Sequence, residues 1–497
     1  MDRLIRYSDG LFLSFLFLLP FQTIYLLREP LIGGEKWQYG TIGIYLSSVI
    51  LAFAVMIGAA LKLKTSKNEP IDVRLRKMWR DRKADAFLLL FVLWSGLSII
   101  WAQDAVLAGY TFIKILLAAD AFVLTRVLVR RGKGKRIVMI LFVAGVIQSA
   151  IGISQFLTQE TFSSTLLGTG VHESWKAGTS VLKNDSGRFL RAYGTFPHPN
   201  MYGLFLAVVL VLVMLSIGGK SPSFPLFQRG KHPRDARSSK ERSLLSKIGE
   251  TLRLIFVKGI PSLRGDRVSP MAIAVAQGLY IRIGILSGIL IILLGLVVSF
   301  SRLAWGGFSL GFAFFLWQRY SRFRKSKDKT WRYPLAISAT IIISMAIFTG
   351  ILHETVFPRF DGTTVGREGS VIDRMSTYAD AVKLIKDHPP LGVGAGNYTV
   401  ELIRMNPNRP IWALQPAHDV PLLIVAELGL VGFVLSFLFA ATYLMGVFET
   451  KNAPIHIGAL FVLAPSLLLD HFLWTSSFGL LFLFVLLGII AESGSDE

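Results

Sequence analysis

The chain has 497 residues, 52% of them hydrophobic and only 17% charged, with a mean hydropathy of +0.54 and a formal net charge of +21. Soluble domains carry about 25% charged residues, so composition excludes an ordinary soluble globular fold. The lack of cysteine excludes disulfides, thiolate metal sites and a thiol nucleophile.

Taken in chain order, twelve apolar runs predict helices long enough to cross a bilayer, at 11–27, 40–61, 85–101, 105–125, 137–157, 194–217, 279–299, 303–318, 334–352, 419–447, 454–471 and 474–491. The first lacks a small-residue cleavage site and reads as a retained anchor. The third and fourth are joined only by Ala102-Gln103-Asp104, which predicts a helical hairpin. The expected fold class is therefore all-α, a polytopic membrane protein of about twelve transmembrane helices with one long helical outer loop. Its parts are 1–193, 194–352, the outer loop 353–418, and 419–497. No internal repeat is evident.

The positive charge is clumped. Residues 62–84, 126–136, 219–270 and 319–333 hold 34 of the 53 Lys and Arg, and all four segments fall on one side if twelve spans alternate. The stretches 159–193 and 353–418, on the other side, are close to neutral. The positive-inside rule then puts both termini in the cytoplasm. The charge is read as topology and headgroup attraction rather than nucleic-acid binding. Within 219–270, Leu244, Leu245, Ile248, Leu252, Ile255 and Phe256 recur at helical spacing among Lys247, Arg253 and Lys258, predicting a basic amphipathic helix on the inner leaflet. Residues Glu492 to Glu497 read as a disordered acidic tail. Asp85, Lys114 and Asp120 are the intramembrane charges expected, with no counterpart in the second half.

Chemistry is expected in the outer loop. Val371 to His388 places Met375, Tyr378, Val382 and Ile385 on one helical face, and Pro389-Pro390 stops that helix. The glycines of Gly392-Val393-Gly394-Ala395-Gly396 permit a tight path or close backbone approach. Three groups then stand at the outer face: Arg302 between the seventh and eighth runs, Arg374 in the loop helix, and His418 at the mouth of the tenth. Guanidinium groups bind diphosphate bidentately. An imidazole takes a proton from an attacking hydroxyl near neutral pH. No cluster has catalytic-zinc spacing and no carboxylate pair divides acid from base work. Asp470 and His471 lie where they would line the same cavity, while His198, His353, His388, His456 and His471 are otherwise read as structural.

These residues resemble the O-antigen ligase / O-antigen polymerase superfamily. The likeness rests on His418-Asp419 followed by Glu427-Leu428-Gly429 and Gly432, and on Ser301-Arg302-x-x-Trp305. It also rests on Arg374 with Tyr378 one turn on, on Asp387-His388-Pro389, on Gly392 to Tyr398, and on Gly194-Thr195-Phe196-x-x-Pro199-Asn200. Asp419 stands where Asn or Ser is common, Tyr378 where Trp is common, and His198 where Asn is common. The first 190 residues carry no family motif. The resemblance implies a metal-independent, cofactor-free glycosyltransferase of the bacterial inner membrane. It would move a glycan from an undecaprenyl-diphosphate carrier to an acceptor hydroxyl at the outer leaflet: lipid A core, a protein, or another carrier-linked repeat. Arg302 and Arg374 would hold the diphosphate and His418 would activate or orient the acceptor, with Tyr378, Trp305 and Asp419 as further substrate contacts; Arg367 is a further candidate for phosphate contact on its position alone. The partners implied are the lipid-linked donor, the acceptor and the membrane, with no nucleic acid. A polymerase of the same superfamily and a twelve-helix transporter or flippase are the alternatives, and a non-catalytic scaffold is the third.

Overall fold

The computed structural model describes residues 2–65, 79, 82–176, 178–184, 187–217, 270–326, 332–356, 367–449 and 453–492. The predicted amphipathic helix in 219–270 and tail residues 493–497 lie outside the described residues. Helices dominate: α1 (Asp2–Leu18), α2 (Leu46–Thr65), α3 (Lys83–Leu97), α4 (Ala105–Leu128), α5 (Gly134–Thr158), α6 (Pro199–Ile217), α7 (Pro270–Val298), α8 (Arg302–Ser326) and α9 (Arg332–Ile351). A short helix α10 (His353–Val356) leads toward α11 (Arg367–Asp387) and α12 (Tyr398–Met405). The chain closes with α13 (Val420–Glu449), α14 (Ala453–Leu469), α15 (Phe472–Thr475) and α16 (Ser477–Glu492).

By length and apolar composition, Lys83–Ile100, Ala105–Thr158, Pro199–Ser216 and Val420–Glu449 are able to cross a membrane, and Ala105–Thr158 holds both α4 and α5. Shorter apolar helices at Leu46–Leu61, Arg282–Val298, Ile337–Ile351, Ile457–Leu469 and Ser477–Glu492 accompany them. This is a multi-pass membrane protein.

Two predicted runs are corrected. The run 11–27 is helical only to Leu18, because Ile24–Arg28 is a strand (β1) paired antiparallel with Ile42–Tyr45 (β4). The run 40–61 accordingly starts with that strand. Between them Leu31–Ile32 (β2) pairs with Glu35–Lys36 (β3). The neutral stretch 159–193 is also structured, ending in the hairpin of Val181–Asn184 (β5) and Gly187–Leu190 (β6).

Helix α6 is the centre of the bundle. It is apolar all round and almost wholly buried, as such a helix must be when neighbours surround it. It packs on α5, α7, α8 and α14. Apolar surface gains little by leaving lipid for protein, so close backbone approach carries much of the packing. Gly307 and Gly311, four apart on α8, supply it: a Cβ on Gly307 would meet the Val462 carbonyl oxygen at 2.5 Å, and one on Gly311 would meet that of Gly458 at 3.0 Å.

The basic residues that end α4 and follow it form ion pairs across the bundle. Arg126 Nε donates to Glu492 Oε1 (2.7 Å) and also pairs with Asp85, while Arg130 Nε donates to Glu492 Oε2 (2.5 Å). Arg131 and Lys133 pair with the buried Asp9 of α1. Glu492 is therefore a buried helical residue rather than the start of a free tail. Lys114 is likewise not confined to a first-half cluster: its Nζ donates to the Thr475 carbonyl (3.2 Å) and feels the charge of Glu427 on α13.

Gly307→Ala is expected to lower the melting temperature of the detergent-solubilised protein by several degrees. Gly306→Ala, where a Cβ meets nothing within 4 Å, is expected to leave it unchanged. Equal shifts for both would remove the close-packing account.

Candidate active site

Three breaks in the helices face one another at the bundle end opposite the Arg126–Glu492 cluster, since Asp104 starts α4 and Arg126 ends it. The first break lies between α7 and α8. Phe300 takes a left-handed φ of 47°, and Ser301 Oγ accepts from Ala304 N (3.3 Å), capping α8. Trp305 Nε1 donates to the Leu296 carbonyl (2.9 Å) across the turn. The Ser and Trp of Ser-Arg-x-x-Trp thus build the turn. Arg302 stands at the first position of α8 and lines a cavity of about 750 Å³. Trp305 packs on Phe300 instead and is absent from the cavity wall.

The second break precedes α6. Arg191 is buried and donates from Nε to the Ser299 carbonyl (2.9 Å), from Nη1 to Ser180 Oγ (2.8 Å) and from Nη2 to Asn200 Oδ1 (3.0 Å). Asn200 Oδ1 also accepts from Ser301 Oγ (3.1 Å), and Asn200 Nδ2 donates to Asp470 Oδ2 (2.9 Å). One asparagine therefore joins the first break to the third.

The third break, between α14 and α15, carries Asp470 and His471. Asp470 Oδ1 accepts from the His471 backbone N (2.8 Å), and His471 Nδ1 lies 2.8 Å from Thr475 Oγ1. The His471 ring meets the His418 ring edge-on with centroids 5.0 Å apart. Donor atoms of His418, Asp470 and His471 all lie within 4.8 Å of one another, a spacing able to hold a metal ion. A sequence search for ligand spacing misses this trio, because 52 positions separate its first two members.

The structure brings Arg302, Arg374 and His418 to the wall of the same cavity, together with Arg191, His198, Asp470 and His471. Asp470 and His471 thus line the cavity as their sequence position allowed, and His198, read as structural, lines it too. Tyr378 donates its hydroxyl to the His418 carbonyl (3.3 Å) and faces a neighbouring groove. Asp419 lines that groove as well, and its Oδ1 accepts from Leu422 N (2.7 Å), capping α13. Arg367 opens α11, but its side chain, like that of His456, lies outside the described residues. The buried stripe of α11 is Thr377, Ala381 and Leu384, so the expected face is turned: Met375 and Val382 are exposed. The stretch 159–193, read in sequence only as near-neutral, contributes Thr161, Gly168, Thr169, Gly170 and His172 to the cavity wall. Burial pushes the His172 imidazole below its ordinary value, leaving a neutral hydrogen-bonding group there.

The glycine run holds the site from behind. Helix α13 breaks at Gly429 (φ 67°, ψ −173°), and Val393 N and Gly394 N donate to the Ala426 and Glu427 carbonyls (3.0 and 2.8 Å). Glu427 Oε2 accepts from Gly396 N (2.8 Å) and Trp474 Nε1 (2.9 Å). Asn397 ties the run to the start of α4, its Oδ1 accepting from Asp104 N (2.8 Å). Burial would raise the Asp104 carboxyl, but its bonds from Arg28 and Leu107 N hold it below its usual value.

A polytopic helical membrane protein with a polar, arginine- and histidine-lined cavity at one end is the class so defined. Residues 287–437 match the model of the family described as O-antigen ligase. The match runs from α7 into α13 and includes Arg302, Arg374 and His418, in keeping with the superfamily resemblance of the motifs. No curated protein matches the chain.

Glu427→Leu is expected to destabilise the protein by about 3 kcal/mol or more, because it leaves Lys114 without its charge partner and Gly396 N and Trp474 without an acceptor. Glu427→Gln, which keeps an acceptor oxygen, is expected to cost less. Hydrogen exchange should rise over residues 392–397 first, and an unchanged exchange pattern in Glu427→Leu would refute the role.

Proposed function

We propose that the chain is a metal-independent glycosyltransferase of the bacterial inner membrane, of the O-antigen ligase type. It moves a glycan from undecaprenyl diphosphate to an acceptor hydroxyl at the outer leaflet, with both termini in the cytoplasm. The observation that carries this reading is the convergence of Arg302, Arg374 and His418 on one cavity. A cavity of about 750 Å³ has room for a diphosphate and adjoining sugar.

The donor diphosphate sits against Arg302 and Arg374, with Arg191 as a fixed cation beside them. The acceptor oxygen attacks the anomeric carbon, and its proton passes to His418. The bond from that carbon to the phosphate oxygen breaks as the new glycosidic bond forms, so configuration inverts. Negative charge grows on the leaving diphosphate, where the guanidinium groups stabilise it. Asp470, anchored by Asn200, keeps a carboxylate near the imidazole pair and favours the protonated form of His418 as it develops. A polymerase of the same superfamily would share this donor half and differ in its acceptor.

His418→Ala is expected to slow transfer by about 100-fold or more in proteoliposomes, with the protein still folded and inserted. Arg302→Lys, which keeps charge but loses the fork, is expected to cost a similar factor. Full activity of either variant removes that residue's assignment. Transfer is expected to persist in EDTA. Loss on chelation, with recovery on adding a divalent cation, would instead make His418, Asp470 and His471 a metal site. Sidedness is testable because native cysteine is absent. Gln415→Cys should react with an impermeant maleimide in intact spheroplasts and Lys135→Cys only after permeabilisation. The opposite pattern would invert the topology.

A further inference from the structure

Two chain segments meet on the cavity wall and gather three metal-ligand side chains between them. His418 stands just before α13, and Asp470 and His471 form the break between α14 and α15. Donor atoms of all three lie within 4.8 Å of one another. Around a tetrahedral zinc ion, nitrogen and oxygen ligands at about 2.0–2.1 Å from the metal stand roughly 3.3 Å apart. Closing the trio on an ion therefore takes side-chain rotation and no rearrangement of helices, and three ligands leave the fourth position to water. The partners behind the donors are also in place. Thr475 Oγ1 donates to the His471 carbonyl (3.2 Å), so at 2.8 Å it accepts from His471 Nδ1, and the lone pair of that ring is left on Nε2. Asp470 is buried, and its two oxygens accept one bond each, from the His471 backbone N and from Asn200 Nδ2. That fixes the carboxylate and leaves each oxygen a second lone pair.

We propose that His418, Asp470 and His471 form an inhibitory site for a borderline transition-metal ion of the Zn²⁺ type, which occupies the His418 ring and stops transfer. The site needs only the geometry. The inhibition rests on the proposed function, because a ring nitrogen bonded to metal cannot take the proton of an attacking hydroxyl. The surroundings choose the metal. Arg191, Arg302 and Arg374 line the same cavity, and one carboxylate does not offset three guanidinium groups. A hard cation such as Mg²⁺, held by charge and oxygen ligands, is repelled there. Zn²⁺ and Cu²⁺ draw their affinity from bonds to imidazole nitrogen and bind despite that field. A required metal and an inhibitory one part under chelation: EDTA abolishes transfer in the first case and restores it in the second.

The test uses the untagged full chain in nanodiscs, stripped of metal, with Zn²⁺ and Co²⁺ as probes. Cysteine is absent, so the visible absorption of bound Co²⁺ reports nitrogen and oxygen ligands alone. The wild type is expected to bind Zn²⁺ and to give a tetrahedral Co²⁺ spectrum, with Mg²⁺ displacing neither. His471→Gln and Asp470→Asn are expected to lose that spectrum. Thr475→Val removes only the acceptor behind His471 and is expected to weaken Zn²⁺ binding about tenfold or more. It carries the test should the ligand variants fail to fold. Zn²⁺ at about ten times its dissociation constant is expected to slow wild-type transfer about tenfold, since only about one chain in ten is then metal-free, and EDTA is expected to restore the rate. The same Zn²⁺ should leave the residual transfer of His471→Gln at its own metal-free rate. Chelation of the donor diphosphate by Zn²⁺ would slow both proteins alike, and that outcome overturns inhibition through the site. A Co²⁺ spectrum and a Zn²⁺ affinity that survive all three substitutions overturn the site itself. Absence of transfer in the metal-free wild type would instead overturn the proposed function, and the Co²⁺ spectrum still reads the site in that case.

Discussion

The site depends on a helix that is broken and then filled. At Gly429 the hydrogen-bond ladder of α13 is interrupted, and polar backbone groups left bare at that depth would each cost several kcal/mol. The loop between α11 and α12 removes that cost by entering the gap. Val393 and Gly394 donate to the carbonyls above the break, and Leu430 N and Val431 N donate to the Pro389 and Pro390 carbonyls below it (3.0 and 3.4 Å). The approach is so close that a Cβ on Gly392 or Gly429 would lie 2.4 or 2.2 Å from a backbone oxygen of the other segment. Both glycines also have positive φ, so no other residue fits without strain.

From this junction the remaining geometry follows. The loop that fills the gap is continuous with α11, which carries Arg374, while the broken helix begins just after His418. The Glu427 carboxylate at the break bonds the loop at Gly396 and α15 at Trp474, three residues after His471. Arg374 and the imidazoles of His418 and His471 are therefore hung from one polar knot inside an apolar bundle. On the far wall Asn200 plays the matching part, holding Arg191, Ser301 and Asp470 at once.

Much of this was legible in the sequence, for identifiable reasons. A span must be long and apolar, so the helices of the bundle declared themselves. Arg302, Arg374 and His418 stood out because each sits in a patterned stretch at an expected boundary. The first and second runs were misplaced because Ile24–Arg28 and Ile42–Tyr45 are as apolar as helix but pair as strands. The contact of His471 with His418 and the place of His198 on the same wall are made by folding, across helices distant in sequence, so no local pattern shows them. The one available signal for His198 was its place inside the Gly-Thr-Phe-x-x-Pro-Asn stretch. The 159–193 wall left no trace, since its anchor is a long-range contact: Gly168 packs against the Gln22 backbone, and Gln22 N donates to the Leu167 carbonyl (3.3 Å). The alternation that places a strand or helix says nothing of such meetings.

The Arg126–Asp85–Glu492 cluster has a consequence for biogenesis. Its two earlier members emerge from the ribosome more than 360 residues before the third. Until α16 arrives, the groove on α4 that receives it stands open and the guanidinium of Arg126 lacks its second carboxylate. Assembly at this seam thus waits on α16, and a chain that stops short of Glu492 leaves Arg126 and Arg130 without that carboxylate.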